Sequence, residues 1–238
     1  MSTQETLRLG MPLLQPAQAQ KHVTVNEALL RLDGLVNLVL NSLTRQTPPE
    51  AAIDGACWAV PEGATGDWTG QGGRIAIAAN NGWVFADPRL GMRCFVADLG
   101  RPAIHDGQGW VAGAMSIGAF GSALMAGTSE AEVDVGTGAS FDTGVMIPPG
   151  VMVIGVVARI TTTITGTLTS WSLGNAGSTD RFGSGLGLDE GSWANGLLGS
   201  PMSYYSPEAL IMTAAGGNFA GGRLRIGVHW LELQLPRL

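Results

Sequence analysis

Two apolar runs near the end of the chain alternate with the period of a β-strand. The first, VMVIGVVARITTTITGTLTSWSLG, opens with a continuous apolar stretch and then alternates threonine with Ile164 and Leu168. The second, LRIGVHWLELQL, repeats apolar residues at every other position from Leu224. Because successive side chains of a strand point to opposite faces, such runs fit strands that are buried on one or both faces. They predict that residues 141–238 form a β-sandwich or jelly roll.

The second run changes phase at Trp230. Beyond this residue Leu231 and Leu233 occupy positions that the earlier alternation assigns to the other face. A one-residue change of phase moves the apolar side chains across the sheet. We therefore expect either a β-bulge near Trp230 or a strand that passes from one sheet to another.

A helical pattern lies near the start of the chain, within a region of residues 1–50. Thr24 and Glu27 have the spacing of a capping box, and the prolines that follow Thr47 end the pattern. Between them, apolar residues recur with alternating spacings of four and three, which is the a/d seam of a coiled coil. These residues are Val25, Leu29, Leu32, Val36, Val39 and Leu43. The pattern predicts an attachment and oligomerisation helix, and packing on the core of its own domain is the alternative.

Two further features bear on how this helix packs. Leu30, Leu35, Leu38 and Leu40 widen its apolar face, which favours a three-stranded bundle or contact with another protein. Gly34 costs the helix about 1 kcal/mol relative to alanine. The helix therefore depends on tertiary or inter-chain contacts.

Residues 51–111 alternate short apolar runs with glycine-containing turns, as in GRIAIAANNGWVF, where Asn81-Gly82 is a hairpin signal. We expect a small β-rich module here. Four tryptophans lie close to such turns: Trp58, Trp68, Trp83 and Trp110. Their rings either form the core of the module or stack on sugars from an exposed row. Residues 112–140 contain small residues without periodicity, which predicts a linker and a boundary near Gly138.

The composition excludes several classes of function. Only 13% of the residues are charged and 36 are glycine, so we expect a surface that is covered in an oligomer or assembly. The net charge is −6 and the single lysine is Lys21, so nucleic acid is not an expected partner. The chain has neither an apolar segment of about 18 residues nor the layout of a signal peptide. Folding in the cytoplasm without membrane insertion is therefore expected.

Recognisable catalytic and metal-binding motifs are missing from the sequence. There is no G-x-S-x-G, H-E-x-x-H or phosphate-binding glycine motif. The histidines and cysteines have no metal-ligand spacing. Asp180, Asp189 and Glu190 are carboxylates of the type that hydrolyses glycosides, but that chemistry needs a separation that sequence does not supply. We expect a protein that is not an enzyme and holds no cofactor or metal.

The stretch from Ser170 to Gly199 combines many glycines with large rings and one Asp-Arg pair. The pair has the chemistry of a bidentate bond that pins a loop, and the rings offer rigid contact area. Because loops at the end of a sandwich commonly bind ligands, we predict a glycan-binding surface. The candidate residues are Trp171, Asp180, Arg181, Trp193, Tyr204 and Tyr205.

Three segments of the chain carry motifs of a known family. They are LRLGMPLLQPAQAQKHVTVNEALLRLD, PPEAAIDGACWAVPEGATGDWTGQGGRIAIAANNGWVFADPRLGMRCFV and RFGSGLGLDEGSWANGLLGSPMSYY. They resemble an uncharacterised domain family of tail-fibre and head-spike proteins in alphaproteobacterial prophages and gene transfer agents. The first 111 residues carry the resemblance most specifically. Its N-terminal motif contains Gln18, Gln20, Lys21, Asn26, Glu27, Ala28, Leu32 and Asp33.

The resemblance implies a virion structural protein: a tail fibre or head spike subunit of a phage-like particle, assembled in the cytoplasm. It implies host cell adhesion through capsule polysaccharide binding, with other particle structural proteins as further partners. A homo-oligomer is expected, with a trimer favoured and a pentamer as the alternative at a particle vertex. A structural adaptor that anchors another spike or fibre protein is the second hypothesis, and a polysaccharide depolymerase is the third. The family has no catalytic residues to transfer.

Overall fold

The computed structural model describes residues 5–14 and 21–238, except for the side chains of residues 21 and 22. Gln18, Gln20 and the side chain of Lys21, which belong to the N-terminal motif, lie outside the described residues. The chain divides into two compact units. Unit 2 is Leu124–Leu235, and unit 1 consists of the preceding residues with Pro236–Leu238. No helix in the described part of the chain has the length and apolar character that a membrane crossing requires.

Unit 1 is built around a seven-stranded sheet. Helix α1 spans Lys21–Leu35, and a 3₁₀ turn spans Gly66–Trp68. The strands are β1 Val39–Leu40, β2 Cys57–Ala59, β3 Ile75–Ala79, β4 Gly82–Ala86, β5 Arg93–Val96, β6 Arg101–His105, β7 Trp110–Ala112 and β8 Ala114–Ile117. The sheet has the order β4-β3-β2-β1-β5-β6-β7. Strand β1 runs parallel to both of its neighbours, and the other pairs are antiparallel.

Helix α1 is shorter than the coiled-coil seam in the sequence. It ends at Leu35, and Asn37 has a φ of 48°, in the left-handed region that commonly ends helices. Beyond this point Leu40 is fully buried in β1, so the chain gains more by joining the sheet than by extending the helix. The prediction of one helical seam is therefore wrong for its last part, because Val39 lies in β1 and Leu43 follows that strand.

The seven-stranded sheet buries side chains on both faces, because Ile75 and Ile77 alternate along β3 with alanines that pack on the other side. On that other side lie three tryptophans: Trp58, Trp68 and Trp83. Their ring centroids are 5.1 to 6.1 Å apart, and two of the three contacts are edge to face. Trp68 is fully buried and Trp58 nearly so. These tryptophans form a core and not a sugar platform.

The described N-terminal segment is held against α1 by two residues of the N-terminal motif. Asp33, which is 1% exposed, accepts the backbone N–H groups of Arg8 at 3.2 Å and Leu9 at 2.7 Å. The Asn26 side chain accepts the Leu14 N–H at 2.9 Å and donates to the Leu14 carbonyl at 3.0 Å. The Arg8 guanidinium donates to carbonyls at the C-terminal end of α1, which lack partners inside the helix. Asn26 and Asp33 therefore have structural roles.

Unit 2 is a sandwich of two antiparallel sheets. Its strands are β9 Ala123–Asp134, β10 Ser140–Ile147, β11 Val151–Gly166, β12 Ser170–Asn175, β13 Ser178–Leu186, β14 Trp193–Tyr204, β15 Glu208–Ala215 and β16 Phe219–Gln234. One sheet has the order β10-β15-β12-β13, and the other joins β14, β11, β16 and β9 in that order. Apolar side chains from both sheets form one continuous core. The mainly β fold class, with a C-terminal β-sandwich, is confirmed.

The segment assigned to a linker from sequence contains strands. Residues 112–140 include β8 and β9, and the division between the units falls after Ala123, whereas the sequence places a boundary near Gly138. In β9 the side chains of Glu132 and Asp134 point outward while Val133 is buried. Most of the other residues of this segment are small, so the apolar alternation that would have identified a strand is weak.

A register shift occurs next to Trp230, but the additional residue belongs to the partner strand. Val153 pairs with Trp230 and Gly155 pairs with His229, so Ile154 is the extra residue on β11. The bulge predicted near Trp230 is therefore present at that place in the sheet. Its position on β11 leaves β16 with one continuous alternation through Trp230.

We predict that Gly34→Ala destabilises the protein although alanine is the better helix former. A Cβ at position 34 would lie 2.8 Å from Cγ2 of Ile77, which is fully buried in β3. Overpacking of this kind costs about 1–3 kcal/mol, which outweighs the gain in helix propensity. Urea denaturation measures the change in the free energy of unfolding. Gly109→Ala, where a Cβ would meet no atom within 4 Å, is the control. A stabilised Gly34→Ala variant would contradict the close approach of α1 to the sheet.

Candidate functional site

Two of the six predicted glycan-binding residues belong to the core of the sandwich. Trp171 is 1% exposed, and its indole N–H donates to the Gly187 carbonyl at 2.8 Å. Tyr204 is 5% exposed, and its hydroxyl accepts a hydrogen bond from the Asn175 amide at 3.0 Å. Burial raises the pKa of Tyr204, with the nearby Arg181 charge acting in the opposite direction. Neither ring is available to a ligand, so their assignment to a binding surface is corrected.

The predicted Asp180-Arg181 pair is not formed. The Arg181 guanidinium donates to Oδ1 of Asn175 at 3.3 Å and to the Met202 sulfur at 3.3 Å. Asp180 instead accepts a hydrogen bond from the Ser178 hydroxyl at 2.9 Å. Adjacent residues of a strand point to opposite faces, and both residues lie in β13, so their side chains diverge. Arg181 holds the strand in place and does not pin a loop.

The stretch from Ser170 to Gly199 is mostly strand, not loop. It contains all of β12 and β13 and the first half of β14. Trp193 begins β14 and is 63% exposed, whereas Tyr205 follows the end of this strand and is 91% exposed. A strand of this length separates its ends by on the order of 30 Å. Trp193 and Tyr205 therefore do not belong to one site.

Trp193 lies at the end of a row of side chains that crosses the outer face of the sheet. Its direct partner on β11 is Arg159, and the direct partner of Arg159 on β16 is Arg225. Residues directly opposite each other in antiparallel strands project from the same face, with Cβ atoms about 4.5–5.5 Å apart. All three residues are exposed. The sandwich therefore presents an indole ring and two guanidinium groups on one open surface.

The arginines of this face differ in their partners. Arg225 donates to Glu132 at 2.8 Å, and Arg223 donates to Asp134 at 2.6 Å and also pairs with Glu132 at 3.4 Å. Hydrogen bonding to Asp134 raises the pKa of Arg223 above its ordinary value. Among the described residues, none forms an ion pair or hydrogen bond with the side chain of Arg159. Arg159 is an exposed residue.

The neighbouring row of the same face adds an apolar side chain and an amide. Val157, which is 37% exposed, lies opposite Asn195 on β14 and Gly227 on β16. Gly227 is buried, and a Cβ there would lie 3.3 Å from Cγ2 of Val157, so neighbouring side chains cover this position. The exposed Asn195 amide adds one acceptor and two donors beside Val157.

We call the surface formed by Trp193, Asn195, Val157, Arg159 and Arg225 the outer-face platform. A flat ring packs against the C–H face of a pyranose, while guanidinium and amide groups bond hydroxyl or carboxylate oxygens. The platform therefore has the chemistry of an open carbohydrate site. Of its members, only Trp193 was predicted from the sequence. The outward positions in VVARI and LRIGV could have identified the arginines, but their partners across the sheet depend on register.

A second exposed surface lies on α1 in unit 1. Val25 is 41% exposed, Leu32 is 50% exposed and Val36 is 41% exposed, with Leu29 half-buried between them. Val36 follows the last helical residue, but its N–H still bonds to the Leu32 carbonyl at 2.9 Å, so it continues the same face. We call these four residues the α1 stripe. It retains the 4-3-4 spacing of the seam found in the sequence.

We predict that two tryptophans of the same sandwich contribute very differently to its stability. Trp193→Ala should change the free energy of unfolding by less than about 0.5 kcal/mol, because the ring is exposed. Trp171→Ala should cost about 3–5 kcal/mol, because it leaves a cavity in the core. Urea denaturation of both variants makes the comparison. A similar loss in the two variants would show that Trp193 is a packing residue and would remove it from the platform.

Comparison with known proteins gives a local match. No curated protein matches the sequence. The solved "Cyanophage Pam1 capsid asymmetric unit" is similar over 47% of this chain and 84% of that chain, with 23% sequence identity and a TM-score of 0.30. Residues 25–111, which include most of α1 and nearly all of the seven-stranded sheet, match the model of the family described as "Protein of unknown function (DUF2793)".

Proposed function

We propose that the protein is a non-enzymatic structural subunit of a phage-like particle, and that its sandwich binds a polysaccharide of the host cell surface. The observation that carries this proposal is the exposed Trp193 ring in register with Arg159 and Arg225 on an open sheet face. The resemblance of the chain to tail-fibre and head-spike proteins of prophages and gene transfer agents supports the placement in a particle. The capsule of the recipient cell is the surface that this role implies.

The shape of the platform fits a polymer better than a small molecule. Small ligands are usually bound in concave sites that cover most of their surface. The outer-face platform is instead an exposed row of side chains on a sheet face, open along the direction that crosses the strands. A polysaccharide can cross such a surface without placing its terminal sugar in the site, so the platform binds internal units of the polymer.

The α1 stripe supports assembly into a homo-oligomer. Its apolar residues have the spacing at which helices of separate chains pack knobs into holes. We assign this stripe to contact between copies of the chain, with a trimer as the favoured stoichiometry. Each open site is then repeated within one oligomer, and simultaneous binding raises the overall avidity without any new contact.

A structural adaptor is the second candidate, because the same stripe fits an apolar helix of another particle protein equally well. The adaptor would anchor a separate spike or fibre protein and would not contact the cell. The two candidates differ in their predicted affinity for encapsulated cells.

We predict that the purified protein sediments with encapsulated cells of a host and not with capsule-free cells. Trp193→Ala should weaken the affinity for encapsulated cells at least about tenfold, the effect of losing about 1.4 kcal/mol. Tyr205→Ala is the control, because it removes another exposed ring, which directly follows the far end of β14. Bound protein is measured by immunoblotting of the cell pellet. Lack of capsule-dependent binding by a folded oligomer would favour the adaptor.

We predict that Leu32→Glu lowers the molar mass of the protein in sedimentation equilibrium by breaking the oligomer. A carboxylate at the centre of the α1 stripe would have to be buried without a partner, which strongly opposes association. Leu90→Glu is the control, since Leu90 is 75% exposed and lies outside the stripe. An unchanged mass for Leu32→Glu, or a monomeric parent protein, would contradict the assignment of the stripe.

A further inference from the structure

We infer that the outer-face platform selects an acidic polysaccharide, and that Arg159 binds the carboxylate of a uronic acid whose ring stacks on Trp193. This inference rests on the proposed function, since it names the chemical class of the glycan at the same surface. It follows from the partners, register and surroundings of Arg159.

The arginines of the outer face differ in whether a carboxylate neutralises them. Arg223 and Arg225 are compensated by Glu132 and Asp134, with ion-pair distances of 2.6 to 3.4 Å. Arg159 is the arginine of this row without such a partner among the described residues. Compensated guanidinium groups have little affinity left for a further anion. The carboxylate of a ligand is therefore directed to Arg159.

Trp193 and Arg159 lie at a separation that suits a uronic acid. Arg159 and Trp193 are direct cross-strand partners, so their Cβ atoms are about 4.5–5.5 Å apart. In a uronic acid the carboxylate is attached to the pyranose ring at C5, which places it just outside the edge of the ring. A pyranose stacked on Trp193 therefore carries this carboxylate toward the neighbouring strand. There the planar fork of Arg159 matches both carboxylate oxygens with two parallel hydrogen bonds.

The charges closest to Trp193 along the chain are negative. Asp189 and Glu190 lie in the turn that precedes Trp193, and the whole chain carries a net charge of −6. The protein therefore has no general attraction for a polyanion. A carboxylate is favoured only where it meets Arg159 directly, so selectivity comes from one short-range bond and not from the long-range field of the protein.

The test compares two forms of one polymer: polygalacturonate, and the same polymer after chemical reduction of its carboxyl groups to neutral galactose units. Affinity is measured for the intact oligomer on each immobilised form. We expect at least about tenfold tighter binding to the acidic form, the range of a charge-assisted hydrogen bond. Arg159→Gln should remove this preference, because it weakens binding to the acidic form more than binding to the neutral form. Arg223→Gln is the matched control, because it removes a compensated charge from the same face.

The outcomes separate this inference from the proposed function. Equal binding of the two polymers, abolished by Trp193→Ala, would overturn the choice of an acidic glycan and leave the polysaccharide site standing. Capsule-dependent binding to cells, without affinity for polymers of galacturonate, glucuronate or mannuronate, would also overturn the acidic class alone. An acidic preference that persists in Arg159→Gln would overturn the role of Arg159. Absence of binding to cells and to every polymer would overturn both proposals.

Discussion

The alternation of side chains across β14, β11 and β16 is the constraint on which the candidate site depends. Ala194, Ala158 and Ile226 are paired in one row and are buried in the sandwich core. Trp193 directly precedes Ala194 on β14, Arg225 directly precedes Ile226 on β16, and Arg159 directly follows Ala158 on β11. Because adjacent residues of a strand point to opposite faces, these three residues point away from the core. Burial of the inner row thus determines the position of Trp193, Arg159 and Arg225. A shift of register by one residue would exchange the two rows and destroy both core and site.

Glycine keeps this sandwich closed where backbones approach each other. A Cβ at Gly196, in β14, would overlap the carbonyl oxygen of Phe182, which lies in β13 of the other sheet. Phe182 is 1% exposed, so this contact closes one side of the core. Gly174, in β12, has backbone of β13 equally close to its Cβ position, so these two glycines are required by close packing of strands. Gly185 and Gly191 instead adopt positive φ with no atom near the Cβ position, so their role is conformational.

The strands of the sandwich were predicted well from the period-two alternation of apolar residues. Contacts between residues far apart in the sequence were not predictable in this way. Residues 141–238 have strong apolar alternation, and the sandwich follows from it. The end of α1 was not predictable from spacing, because Val36 and Val39 satisfy a helical seam as well as a turn into a strand. The choice between them is decided by burial of Leu40 in the sheet. Likewise, Trp171 and Trp193 look equivalent in sequence. The pairing of β12 with β15 and of β14 with β11 places the first ring in the core and the second on the surface.

An open binding surface gives a single site a low affinity. This low affinity is the reason that the proposed role of the platform depends on the proposed role of the α1 stripe. A flat row of side chains covers only one side of a sugar chain and leaves the other side in water, so each contact contributes little free energy. Binding of useful strength then requires several copies held at a distance that one polymer can span. The net negative charge of the protein makes several copies of the site still more necessary, because long-range electrostatic attraction does not speed its association with a polyanion. An adhesin with this surface therefore needs an oligomer, and the exposed stripe on α1 is the part of the described structure best suited to form one.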